Sequence, residues 1–109
     1  MLYDIPESFK VADHTYYVEI KDFVYDENNE SCYGIHDHGA CTIEIAKKLK
    51  YKNYDIDLTD TQILNSFFHE LVHVFQFFYD NQSDEAQAQS FANMIYSYVT
   101  TKKQDGEDS

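Results

Sequence analysis

The chain has no arginine, and its eight lysines face 20 acidic residues, so the net charge is 8 − 20 = −12 over 109 residues. A negative field of that size opposes phosphate binding, which excludes nucleic acid as an expected partner and suits solubility or a basic substrate. Positive charge is concentrated only in Lys47, Lys48, Lys50 and Lys52. No apolar run approaches the roughly 18 residues of a membrane span. The N-terminus, with Asp4 and Glu7, lacks the charged-then-apolar pattern of a secretion signal. The expected setting is the cytoplasm, with no membrane contact. There are only two cysteines, Cys32 and Cys41, and in that setting both are expected to be reduced. No internal repeat is visible. Histidine is scarce as well: there are five, and none follows His73.

What is present is aromatic and apolar. Ten Tyr and eight Phe, within 43% hydrophobic content, suffice for one modest core and no more. Residues 1–100 are expected to form a single domain and a monomer, and residues 101–109 a disordered acidic tail.

Two of the five histidines fall in His69-Glu70-Leu71-Val72-His73, an H-E-x-x-H pattern. On a helix, residues four apart share a face one turn apart, so both imidazoles can reach one metal ion. Glu70 then flanks the ion, within reach of a metal-bound water. That is what a zinc hydrolase needs: the metal lowers the pKa of water to about 7, and a carboxylate takes the proton as the water attacks a carbonyl.

The surroundings predict a helix. Thr59 to Gln62 reads as a capping box, with Asp60 in the first turn, so the helix should start near residue 60. Ile63, Leu64, Phe67, Phe68, Leu71, Val74, Phe75 and Phe78 then recur at three- and four-residue steps and build one apolar face. His69, His73, Gln62, Gln76 and Asp80 project from the opposite side with Glu70 beside them, which places the histidines outside the core. The plain alternative is a solvated polar face that carries these residues by coincidence.

Zinc needs at least three protein ligands, and a third downstream of His73 has to be a carboxylate. After the turn-rich stretch Asp80-Asn81-Gln82-Ser83, with Ser83 as the expected N-cap, a second helix should begin at Asp84 and carry Ala88, Phe91, Ala92, Ile95 and Val99 on one face. Glu85 sits in its first turn. In a short-linked helical hairpin Glu85 is reachable from the histidines, and it reads equally as a helix-start acid held by the dipole.

His69-Glu70-x-x-His73 followed by Glu85-x-x-Ala88-x-x-Phe91-Ala92 resembles the E-x-x-A-x-x-F-A segment of ImmA/IrrE-like zinc metallopeptidases and their small phage-encoded relatives. Gly34-Ile35-His36-Asp37 followed by Thr42-Ile43-Glu44-Ile45 is similar to the hairpin before the active-site helix of that family. The resemblance spans about residues 33 to 96. It implies a minimal zincin with His69, His73 and Glu85 as zinc ligands, Glu70 as general base, and a protein or peptide substrate lying as a strand along a sheet edge, here residues 41–46. The family's DNA-binding module and the C-terminal part of its pattern have no counterpart here. SprT-like proteases also carry H-E-x-x-H but take a further histidine, which is absent.

Elsewhere, Val11 to Tyr25 shows strand alternation at Tyr16, Val18 and Ile20, a polar turn follows at 26–30, and Tyr33–Asp37 pairs with Cys41–Ala46. Lys47 to Leu58 reads as a connecting loop. The expected fold is therefore α+β: a small antiparallel three-stranded sheet followed by two packed helices, the first carrying H-E-x-x-H. Cys32, His36, His38 and Cys41 form a C-x3-H-x-H-x2-C pattern that suits either a second zinc or the decoration of a turn around Gly39. Tyr79 and His38 are the candidates for stabilising an oxyanion. The leading expectation is a zinc metallopeptidase. Its rivals are a zinc-binding, catalytically retired interaction protein of phage or mobile-element origin, and an α+β domain with no metal.

Overall fold

The computed structural model describes residues 5–80 and 84–101, and the side chains of all of these except Tyr79 and Asp80. The chain folds as α+β. Strands β1 (Ser8–Val11), β2 (His14–Lys21), β5 (Gly34–Asp37) and β6 (Thr42–Ala46) form one sheet in the order β1-β2-β6-β5. Strands β3 (Val24–Tyr25) and β4 (Ser31–Cys32) make one two-stranded ribbon, and β7 (Lys48–Lys50) and β8 (Asp55–Asp57) another. Helix α1 (Asp60–Phe75), a π-helical turn (Gln76–Asp80) and helix α2 (Glu85–Thr101) follow.

The sheet differs from the expected three antiparallel strands. It has four strands, and β6 runs parallel to β2 while β1–β2 and β5–β6 are antiparallel. The β5–β6 hairpin is as the sequence predicts, with Asp37 accepting from the Gly39 and Ala40 amides to shape its turn. The missed strand is β1. Ala12 and Asp13 both have positive φ, 50° and 67°, the conformation a two-residue hairpin turn requires, but they lack the Asn-Gly signature that normally announces it. The segment 47–58 is also more than a loop. Lys48-Leu49-Lys50 and Asp55-Ile56-Asp57 alternate, with Leu49 and Ile56 turned to the core and Lys50 paired with Asp55 at 3.5 Å. Their charged partners disguised the strands.

The central strand β6 buries Ile43, Ile45 and Ala46 completely. Over it lies α1, whose start is the predicted capping box: Thr59 accepts from the Gln62 amide and Gln62 returns a bond to the Thr59 amide. Leu64, Phe67, Phe68 and Val74 join the core, but Phe75 is exposed. The helix widens into a π turn only after Phe75, at Gln76, and Phe78 packs against Tyr16 and His14. On α2, Ala88 and Ala92 are fully buried and let the two helices approach closely, whereas Phe91 is exposed. The Asp84 carboxylate caps α2, accepting from the Gln87 amide at 2.9 Å; the expected N-cap, Ser83, lies outside the described residues. Thr101 ends α2, and the rest of the expected tail likewise lies outside them. Among the described residues no helix is long and apolar enough to cross a membrane.

Candidate metal centre

Helix α1 presents His69 and His73 one turn apart, and the first turn of α2 brings Glu85 to them. The three side chains place ligand atoms within 4.8 Å of one another, a group that can hold a metal ion. His73 Nε2 lies 3.2 Å from His69 Nε2 and 3.2 Å from Glu85 Oε2, and His69 Nε2 lies 2.9 Å from Glu85 Oε1. The residues expected from sequence thus converge at one point. The plain alternative, a solvated polar face, does not hold: His73 and Glu70 are 3% and 7% exposed, because α2 and β5 cover that side of α1, although neither joins the hydrophobic core.

The tautomers follow from the second nitrogen of each ring. His73 Nδ1 donates to Gln76 Oε1 at 2.9 Å. The orientation of that amide is fixed from its other end, where Gln76 Nε2 donates to the Asp84 carbonyl and to Gln87 Oε1, while Oε1 also accepts from the Asp84 amide. His69 Nδ1 donates to Gln89 Oε1 at 3.0 Å, and Gln89 Nε2 in turn donates to Asn65 and Asn93. With both protons held on Nδ1, both Nε2 lone pairs point inward at a carboxylate. No lysine of the described residues lines the surrounding cavity, so the centre is a set of electron donors that can hold a cation.

With no ion bound, Glu85 loses some of its solvation, but hydrogen bonds from His69 and His73, then their charges, outweigh this and hold the carboxyl below the usual carboxylate range; the Nε2 protons these bonds need are the ones a metal ion displaces. Burial, followed by the nearby His36, pushes His38 down. Tyr16 is raised by burial and then by Cys41, and Cys32 is raised by burial. All of these directions favour neutral His38, Tyr16 and Cys32 near neutral pH.

No protein-family model matches the chain, and neither a curated protein nor a solved structure matches it. The site is therefore read from its geometry.

Above the three side chains opens a cavity of about 1050 Å³, bounded by β5, α1 and α2 and including Glu70, His36 and His38 in its lining. Glu70 reaches it from α1 and makes a 2.6 Å contact with His36 Nδ1 from β5. At Gly34, two residues earlier on the same face of β5, a Cβ would come within 3.0 Å of the Glu44 carbonyl oxygen and of Ile45 Cδ1, so the close packing of β5 on β6 favours glycine there. His38 also lines the cavity, but its Nδ1 is engaged by the Tyr16 hydroxyl at 2.9 Å and its ring stacks on Phe77. The Tyr79 side chain lies outside the described residues. The C-x3-H-x-H-x2-C pattern does not gather: Cys32 and Cys41 are free, each bonds a nearby carbonyl, and among the described residues only the His69, His73, Glu85 group has metal-holding geometry.

The strand expected at the sheet edge is corrected. Residues 42–46 form the interior strand β6, and the edge beside the site is β5. Tyr33 accepts from the Ala46 amide, so Ile35 and Asp37 also turn their main chains toward β6, while those of Gly34 and His36 turn outward.

The sequence reading missed Gln76, Gln89 and the His36–Glu70 pair. The two glutamines were legible in outline, as polar residues three beyond His73 and four beyond Glu85, on the helix faces that carry those ligands. Gln76→Leu should lower zinc affinity by about 10–100-fold, the usual result of removing an outer hydrogen-bond partner. It should also lower stability, because the buried His73 Nδ1 proton loses its acceptor, at about 1–3 kcal/mol for a buried group left unpaired. A zinc competition titration and a thermal melt measure the two effects.

Proposed function

We propose that this protein is a zinc-dependent peptidase of minimal zincin type, akin to the ImmA/IrrE-like enzymes it resembles in sequence. The observation that carries this reading is the convergence of two imidazole lone pairs and the Glu85 carboxylate on one point, with a buried Glu70 beside them. Two nitrogens and one oxygen, leaving a fourth position for solvent, make the donor set of a catalytic zinc rather than of a closed structural one. Bound there, zinc lowers the pKa of a coordinated water to about 7 and polarises a carbonyl.

The protein's own part begins with binding. An extended peptide would add to β5, taking main-chain bonds from the outward groups of Gly34 and His36 and passing over the cavity. Glu70 then removes a proton from the attacking water at its free Oε2 and returns that proton to the nitrogen of the departing amine as the C–N bond breaks. Gln89 and Gln76 hold the Nδ1 sides of His69 and His73, which keeps both Nε2 atoms turned to the metal position.

Peptide hydrolysis before and after chelation tests the reading. A mixed peptide library should be cleaved by the purified protein, cleavage should stop with chelator, and zinc but not magnesium should restore it. A protein that retains zinc and cleaves nothing would instead support the retired, zinc-binding interaction protein, in which Glu70 has no proton to move.

A further inference from the structure

His36 has no part in the ligand set or in the general-base assignment, yet it holds the base. Its Nδ1 lies 2.6 Å from Glu70 Oε1, at the short end even for a hydrogen bond to a carboxylate. Among the described residues Glu70 Oε1 has this partner and Oε2 has none. A carboxylate turns easily about its last torsion, so a single strong donor on one oxygen determines where the other oxygen points.

The position of His36 in the fold adds a second relation. It belongs to the edge strand β5, and the pairing register turns its main-chain N–H and C=O away from β6, toward the side where a further strand can pair. Its side chain meanwhile turns to α1, on the same face as Gly34 and the buried Ile43 and Ile45. One residue therefore faces an incoming peptide with its backbone and the base with its ring. The ring is not part of the ligand group: the ligand atoms that gather within 4.8 Å are those of His69, His73 and Glu85.

We infer that His36 is a positioning residue, which fixes the Glu70 carboxylate for proton transfer and ties its alignment to the strand on which substrate docks. This rests on the peptidase reading and adds to it a residue on the other side of the active-site cleft. Simple packing does not need an imidazole here, since the β5–β6 ladder from Gly34 to Asp37 already anchors the strand.

Two variants separate these roles. In His36→Asn the side-chain amide nitrogen takes the place of Nδ1 and still donates, whereas His36→Leu fills the space and donates nothing. In the zinc-loaded full chain, His36→Leu should lower kcat by about 10–100-fold, as loss of an outer hydrogen-bond partner does, with KM nearly unchanged and zinc retained. His36→Asn should recover most of that loss. Equal kcat in wild type and His36→Leu overturns the proposal, and so does a parallel loss of zinc and activity in both variants, which would mark a structural role. A readout without turnover stands beside these: the His36 Nδ1 proton should resonate far downfield in the zinc-loaded wild type and move upfield in Glu70→Gln. Absence of that resonance removes the His36–Glu70 bond and this proposal while leaving the peptidase reading intact. A wild type that hydrolyses no peptide removes the peptidase reading, and the positioning role with it.

Discussion

Glu85→Ala is expected to weaken zinc binding beyond the roughly 10–100-fold that loss of an outer partner costs, because it removes a ligand outright. The carboxylate closes the centre from 2.9 and 3.2 Å, and its removal leaves two neutral imidazoles, one short of the three protein ligands a catalytic zinc site uses. The substitution is safe for folding, since the Glu85 side chain is 76% exposed and belongs to the rim of the fold, not its core. Its neighbour provides the control. Asp84→Ala removes the cap that bonds the Gln87 amide, at about 1 kcal/mol of helix stability, and takes no ligand from the metal. A zinc competition titration of the two variants separates the roles: Asp84→Ala should bind nearly as wild type while Glu85→Ala should not. Unchanged zinc affinity in Glu85→Ala would move the third ligand elsewhere, Asp80 being the acid next in chain order after His73.

Glu70→Gln should keep the metal and lose about 10²–10⁴-fold in kcat, the usual contribution of a positioned general base. Gln preserves shape, and its carbonyl oxygen can still accept from His36 Nδ1, so the pairing between β5 and α1 survives. What it lacks is a carboxylate to take a proton. Zinc content equal to wild type with hydrolysis lost is the expected pair of results. If Glu70→Gln cleaves a peptide as fast as wild type, Glu70 is not the base.

The helices were the legible part of this fold, and the reasons are local. Thr59 and Gln62 announce the start of α1 through bonds between residues three apart, and the spacing of Ile63, Leu64, Phe67 and Phe68 reports one buried face within a single element. The same locality exposed His69 and His73, since a four-residue step on a helix is a statement about space. Glu85 was reachable in sequence terms and no more, because its approach depends on a hairpin whose closure is long-range. The sheet was less legible. Parallel pairing of β2 with β6 joins residues 25 apart, Tyr17 with Thr42, and no local pattern encodes it. That pairing encloses β6 and makes β5 the edge. The mistake about the docking strand and the oversight of His36 thus share one cause: both depend on which strand of the β5–β6 hairpin is covered by β2. Phe75 and Phe91 were misplaced for a related reason, as periodicity shows an apolar stripe but not how far the rest of the fold extends over it.

The measurement that tests the central claim most directly is the metal content of the protein purified with neither added metal nor chelator. Elemental analysis should find about one zinc per chain, with chelation removing it and a single equivalent restoring it. A preparation that contains no transition metal and takes up none on titration would contradict the account, because the inward-facing lone pairs of His69 and His73 and the carboxylate of Glu85 would then have no ion to hold.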